Sequence, residues 1–105
     1  MNYQIKDGVL YFYFYGEFDN YHVSNIKDEA ILVIETTKPK MVIFDFEEVS
    51  FVDSTGIGFL LARYKQLQKR NITMKISNLS KMNRKLCAMS GIFQLIQEQR
   101  NEVKL

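Results

Sequence analysis

Three times in this chain a short apolar run with the spacing of a strand precedes a longer stretch with the spacing of a helix. Val9 to Tyr15, "VLYFYFY", sets Leu10, Phe12 and Phe14 on one face and Val9, Tyr11, Tyr13 and Tyr15 on the other. Both faces carry large side chains, so both are expected to be at least partly covered. "GEFDN", Gly16 to Asn20, breaks that strand. A helical stripe of Val23, Ile26, Ala30, Val33 and Ile34 follows and ends by Thr37, before the single proline, Pro39. Met41 to Phe46, "MVIFDF", reads as a buried strand. The second helix runs from near Ser54 to about Arg70, with Ile57, Leu60, Leu61, Tyr64 and Leu67 on its apolar side. Phe59, Arg63, Gln66 and Arg70 are expected to face away, and Asn71 to stop the helix. Ile72 to Ile76 is a third strand. Leu79, Met82, Leu86, Met89 and Phe93 mark the apolar side of a third helix, capped by Ser80 and ended by Gly91.

Ahead of these units, residues 2–6 form an edge strand that Asp7-Gly8 turns back on itself. Behind them, Leu95-Ile96 adds a last short strand, and the polar tail from Gln97 is a short helix or frays. The order β-β-α-β-α-β-α-(β) predicts an α/β layer fold with parallel neighbours and right-handed connections.

A chain of 105 residues makes one domain, 1–105, with one core. No apolar run approaches the ~20 residues of a membrane span, and Asn2, Gln4, Lys6 and Asp7 interrupt any leader at the N-terminus. A cytoplasmic protein without a membrane partner is expected. The net charge of +2 is too small, and the basic residues too scattered, for a nucleic-acid surface. The lone Cys87 excludes an intramolecular disulfide and falls in an apolar helical register, as a core thiol would.

The junction "SFVDSTGIGF" concentrates the chemistry. Asp53, Ser54 and Thr55 stand where the second helix opens, and three roles compete: nucleophile, helix cap and switch. A serine nucleophile needs a base, and the only histidine, His22, lies on another helix. Val52 occupies the position where a nucleophile elbow needs glycine. Phosphate loops, dinucleotide fingerprints and metal-ligand spacings are absent, and Glu47-Glu48 suits a solvated turn better than acid/base work. No cofactor is expected. Capping explains Asp53-Ser54 but not Gly56 and Gly58, each unfavourable in a helix by up to ~1 kcal/mol relative to alanine. A phosphate on Ser54 would meet the positive end of the helix dipole, so the fold would tolerate it while a docked partner would not. Phe59, taken as outward-facing one turn later, would anchor that partner.

"GEFD" after an aromatic strand, "VIFDFEEVSFVDSTGIGFLLARYKQLQKR" and "LCAMSGIF" together resemble the STAS domains of bacterial anti-sigma factor antagonists. "RYKQ" and "MSGIF" resemble the sporulation branch more than the general-stress branch. The resemblance implies a small mixed sheet of about four to five strands with about four helices packed against it. It also implies a binding protein rather than an enzyme. The unphosphorylated domain would bind an anti-sigma factor that is also a serine kinase and so free the sigma factor. Phosphorylation of the serine after the aspartate, here Ser54, would switch it off, and a serine phosphatase would restore it. The resemblance places Asp19 near the phosphosite, and Asp53, Ser54, Thr55, Gly56, Ile57, Gly58 and Phe59 in the partner contact. Thr55 stands where the sporulation branch usually has a second serine, which makes it a rival acceptor. The alternatives are a general-stress antagonist or a scaffold subunit of a larger signalling assembly and, in a different class, a small enzyme or ligand-binding domain using Asp53-Ser54.

Overall fold

The computed structural model describes residues 1–99. Its elements follow the expected order: β1 (Asn2–Lys6), β2 (Val9–Phe18), α1 (Asn20–Thr37), β3 (Met41–Val52), α2 (Ser54–Gln68), β4 (Thr73–Ser77), α3 (Lys81–Ser90), a 3₁₀ turn (Ile92–Gln94) and β5 (Gln97–Gln99). The strands form one mixed sheet in the order β1-β2-β3-β4-β5. Only β1 runs antiparallel to its neighbour; the other three pairings are parallel. Among the described residues there are three α-helices and one 3₁₀ turn, against about four helices expected. No helix among them is long and apolar enough to cross a membrane.

Local chemistry sets most boundaries. Asp7 and Gly8 both take left-handed backbone angles (φ 54° and 79°), as the two central residues of a type I′ hairpin turn must. α2 ends in a left-handed Asn71 (φ 58°), and the Ile72 N–H reaches back to the Leu67 carbonyl, so the expected stop holds. Ser80 caps α3 by accepting from the Asn83 N–H, and Gly91 closes it at φ 81°.

Two strands run longer than their apolar runs. β2 continues through Gly16-Glu17-Phe18, and β3 through "EEVSFV" to Val52, because these segments pair with each other. The register slips twice, once between Tyr13 and Tyr15 and once between Gly16 and Glu17, and each slip accommodates one extra residue on β3. Glu47 and Glu48 are therefore exposed strand residues rather than turn residues. β4 stops at Ser77, opposite Asp45, so β3 loses that neighbour before the middle of its length. There the fully buried Asn83 of α3 donates from Nδ2 to the Val49 carbonyl at 3.1 Å and stands in for ladder bonding.

One face of the sheet carries Leu10, Phe12, Phe14, Val42, Phe44, Phe46, Met74 and Ile76, all buried beneath the helices. Phe12, Phe14, Phe18, Phe44, Phe46 and Phe59 form a continuous aromatic cluster with ring centroids 4.8–6.4 Å apart along its contacts. The opposite face shows Tyr11 and Tyr13, stacked and only partly buried, around Ile43. Ile43 is buried yet lies apart from the main core, so the covering expected on this face comes from its strand neighbours.

Both later helices are turned from their expected orientation. On α2 the buried side is Gly56, Phe59, Leu60, Arg63 and Leu67, so Phe59 and Arg63 point inward. The phenylalanines of β2 and β3 draw Phe59 onto the sheet, and Arg63 lies over its ring, so a flank that apolar spacing assigns to solvent is buried. On α3 the buried positions are Asn83 and Cys87, while Met82 and Met89 are 66% and 76% exposed. A buried, hydrogen-bonded asparagine defeats a reading based on apolar periodicity. The last strand lies at Gln97–Gln99 instead of Leu95-Ile96, and the tail from residue 100 lies outside the described residues.

Candidate functional site

β2 and β3 end side by side, Phe18 opposite Val52, and each is followed at once by an aspartate that opens a helix. Asp19 accepts from the His22 N–H at 3.0 Å, and Asp53 from the Gly56 N–H at 3.0 Å. The two α-helix N-termini are held together by the Asp53 N–H, which donates to the Phe18 carbonyl at 3.3 Å. Parallel pairing of the two strands places both caps on one edge of the domain.

Gly56 permits this junction. A Cβ there would lie 2.4 Å from the Phe18 carbonyl oxygen and 2.6 Å from its ring. The first turn of α2 thus rests on the end of β2 through backbone contact that no side chain allows. Gly58 is different: a Cβ there would meet open space.

The expected site residues divide by exposure. Ser54, the first residue of α2, is exposed, and so is Gly58. Thr55 is half-buried beside a groove of about 330 Å³ between α1 and α2. Ile57 is half-buried against the core. Gly56 and Phe59 are buried, which corrects the expectation of an outward Phe59: its ring meets Phe14, Phe18 and Phe44 edge-on. Asp19 and Asp53 are partly exposed and act as caps.

His22 turns its ring to Asp19, with Nδ1 2.7 Å from Oδ1. The His22 backbone N–H, and next its ring, hold the Asp19 carboxyl below the usual carboxylate range. Asp19 therefore stays ionised at neutral pH. Glu17 joins this pair, and the ligand-type atoms of Glu17, Asp19 and His22 all lie within 4.8 Å of one another. Spacing alone does not foretell this cluster, because Glu17 reaches the cap only where β2 continues past its apolar run alongside the bulged end of β3. Asp19 is already committed there to capping α1.

Two features escaped sequence reasoning. Arg63 is 7% exposed and lies over the Phe59 ring, its carbon 5.2 Å from the centroid. A larger hollow of about 450 Å³ opens past the end of β4, between Glu47 in the middle of β3 and Glu98 and Gln99 of β5. Its charges are engaged locally: Arg84 makes a forked contact with Glu98 at 2.8–3.0 Å, and nearby Ser77 and Asn78 donate to Asp45.

A family model described as the STAS domain matches residues 1–104. An anti-sigma F factor antagonist from Paenibacillus polymyxa is 27% identical over 107 residues, spanning 98% of this chain and 92% of its own. An anti-sigma-B factor antagonist from Listeria monocytogenes serovar 1/2a is 30% identical over 82 residues, 78% of this chain and 71% of its own. The unphosphorylated anti-sigma factor antagonist SpoIIAA superposes with a TM-score of 0.80 at 24% identity, over 96% of this chain and 89% of that one. The fold is therefore one that other proteins share.

Proposed function

The chain belongs to the STAS domain family, and from that membership and the geometry of its paired caps we propose that it is an anti-sigma factor antagonist controlled by phosphorylation of Ser54. In this reading it is a cytoplasmic binding protein and a kinase substrate, not an enzyme. The unphosphorylated form captures an anti-sigma factor with serine kinase activity and releases the sigma factor. The kinase then modifies Ser54, and a serine phosphatase reverses the modification.

The observation that carries the reading is the placement of Ser54. It is exposed at the first position of α2, one residue after a cap that leaves first-turn N–H groups facing outward. A phosphate there adds nearly two negative charges beside Asp53. The helix N-terminus favours that charge, while a protein surface packed over Ser54, Thr55 and Gly58 does not. Asp19 and Asp53 shape the site as caps, Gly56 and Phe59 support it from below, and Ile57 fixes the first turn against the core.

The sporulation branch fits the motifs "RYKQ" and "MSGIF" and the name of the Paenibacillus polymyxa relative. The name of the Listeria monocytogenes relative favours a second reading, a general-stress antagonist with the same switch.

The test is peptide mapping by mass after incubation with ATP and a candidate anti-sigma kinase, for the wild type and Ser54→Ala. One phosphate on Ser54, missing in the variant, supports the reading. A phosphate on Thr55 shifts the site by one residue. No phosphate from a kinase active on another antagonist removes the switch.

A further inference from the structure

Arg63 is only 7% exposed, and two of its donors, Nε and Nη1, are enclosed without an acceptor among the described residues. No carboxylate among those residues pairs with it; their ion pairs join Arg70 to Glu35 and Arg84 to Glu98, and Asp19 faces the His22 ring. The Phe59 ring stabilises one face of the guanidinium, but it cannot accept the in-plane N–H bonds. A charge removed from water and left without an anion is a destabilising choice for a core. Apolar residues of similar volume do as well or better there, so the retained charge points to a ligand.

Arg63 also lines the α1–α2 groove, together with Val23, Lys27, Thr55, Phe59 and Ala62. Arg63 and Lys27 make the groove cationic, while Val23, Phe59 and Ala62 make much of its wall apolar. That combination suits a carboxylate carried on methylenes better than a free hydrated phosphate. The planar fork of arginine matches a carboxylate in two bonds. The groove shares Thr55 and Gly58 with the surface around Ser54, so a protein docked over that surface is positioned to place a side chain in it.

We propose that the α1–α2 groove is the seat for an acidic side chain, glutamate in particular, of the protein partner, with Arg63 as its ion-pairing anchor and Lys27 as a second cation. The partner's identity rests on the reading of the protein as an anti-sigma factor antagonist; the seat itself rests on Arg63.

The experiment has two arms. In the first, the full chain labelled with ¹⁵N is titrated with N-acetylglutamate α-methylamide, and separately with inorganic phosphate at matched ionic strength. The expected result is a saturable shift of the Arg63 Nε–H and of the Thr55 and Gly58 amides with the glutamate probe alone. Arg63→Met should abolish the shift and leave the melting temperature unchanged or higher. In the second arm, Arg63→Met should weaken the complex with the anti-sigma kinase by at least about tenfold, with Arg63→Lys intermediate. No shift at Arg63, or a shift with phosphate alone, overturns the proposal. So does an Arg63→Met protein that melts lower yet binds the kinase like the wild type, which would make Arg63 structural. If no anti-sigma factor binds the wild type but the glutamate probe does, the functional reading fails and the carboxylate seat stands.

Discussion

Gly56 and Gly58 lie two residues apart on α2, yet they are glycine for different reasons. A Cβ at Gly56 would collide with the backbone of β2, whereas one at Gly58 would meet nothing. Gly56→Ala should therefore destabilise the domain by about 2 kcal/mol or more, through overpacking against an unyielding carbonyl. Gly58→Ala should stabilise it by about 0.5–1 kcal/mol, the ordinary helix preference. Urea denaturation of the two variants checks both signs, and a loss of kinase binding by the more stable Gly58→Ala would mark Gly58 as part of the docking surface. Cys87 is a second residue-scale case. Burial pushes its thiol up to about 11, so the reactive thiolate is suppressed at neutral pH. Iodoacetamide at about pH 8 should leave the native protein unmodified and alkylate Cys87 only on unfolding. Its register as a core thiol was legible in the sequence; the charge of Arg63, unpaired among the described residues, was not, because a single arginine carries no spacing signal.

At the scale of elements, the two aspartate caps carry the site. Asp53→Ala should lower stability by about 1 kcal/mol through loss of the bond to the Gly56 N–H, and a urea midpoint measures it. Asp19 adds a pH dependence whose sign follows from its environment. Its folded pKa is lowered by the His22 N–H and ring, so its stabilising share is present above the unfolded carboxylate value of about 4. That share is lost as pH falls through the folded value. Stability profiles of the wild type and Asp19→Asn should therefore differ at neutral pH and converge toward the acid limb. α2 shows how far an element can be read in advance. Its start, cap and stop were legible because capping chemistry is local. Its rotation was not, because the phenylalanines of β2 and β3 that receive Phe59 lie far from it in sequence. Phe59→Ala should accordingly cost about 3–5 kcal/mol as a core truncation, rather than act at the partner surface alone.

At the scale of the molecule, the proposed switch asks for no change of fold. Ser54 stands on the surface above a core that the aromatic cluster locks together. Ser54→Asp should keep the wild-type melting temperature to within a few degrees and confine amide shift changes to the start of α2, while binding the kinase poorly. Ser54→Ala should bind it constitutively. If both variants bind alike, Ser54 is not the switch; if Ser54→Asp melts far lower, the switch works by unfolding. Thermal melts, amide spectra and binding titrations separate the three outcomes.

Strand and helix identity from β1 to α3, their order, the Asp7-Gly8 hairpin and the caps at Asp53 and Ser80 were readable in the residues, whereas the last strand was not. They depend on alternation, helical spacing and hydrogen bonds between near neighbours. The length of β2 and β3 depended on their pairing through two bulges, which allowed polar residues such as Glu17 and Glu48 to continue a strand. The inward turn of Phe59, the burial of Asn83 against Val49 and the exposure of Met82 and Met89 depended on which neighbours lay alongside. Apolar spacing reports how much of a helix will be buried; only the packed structure chooses the side, because burial is decided by contacts between segments far apart in the chain.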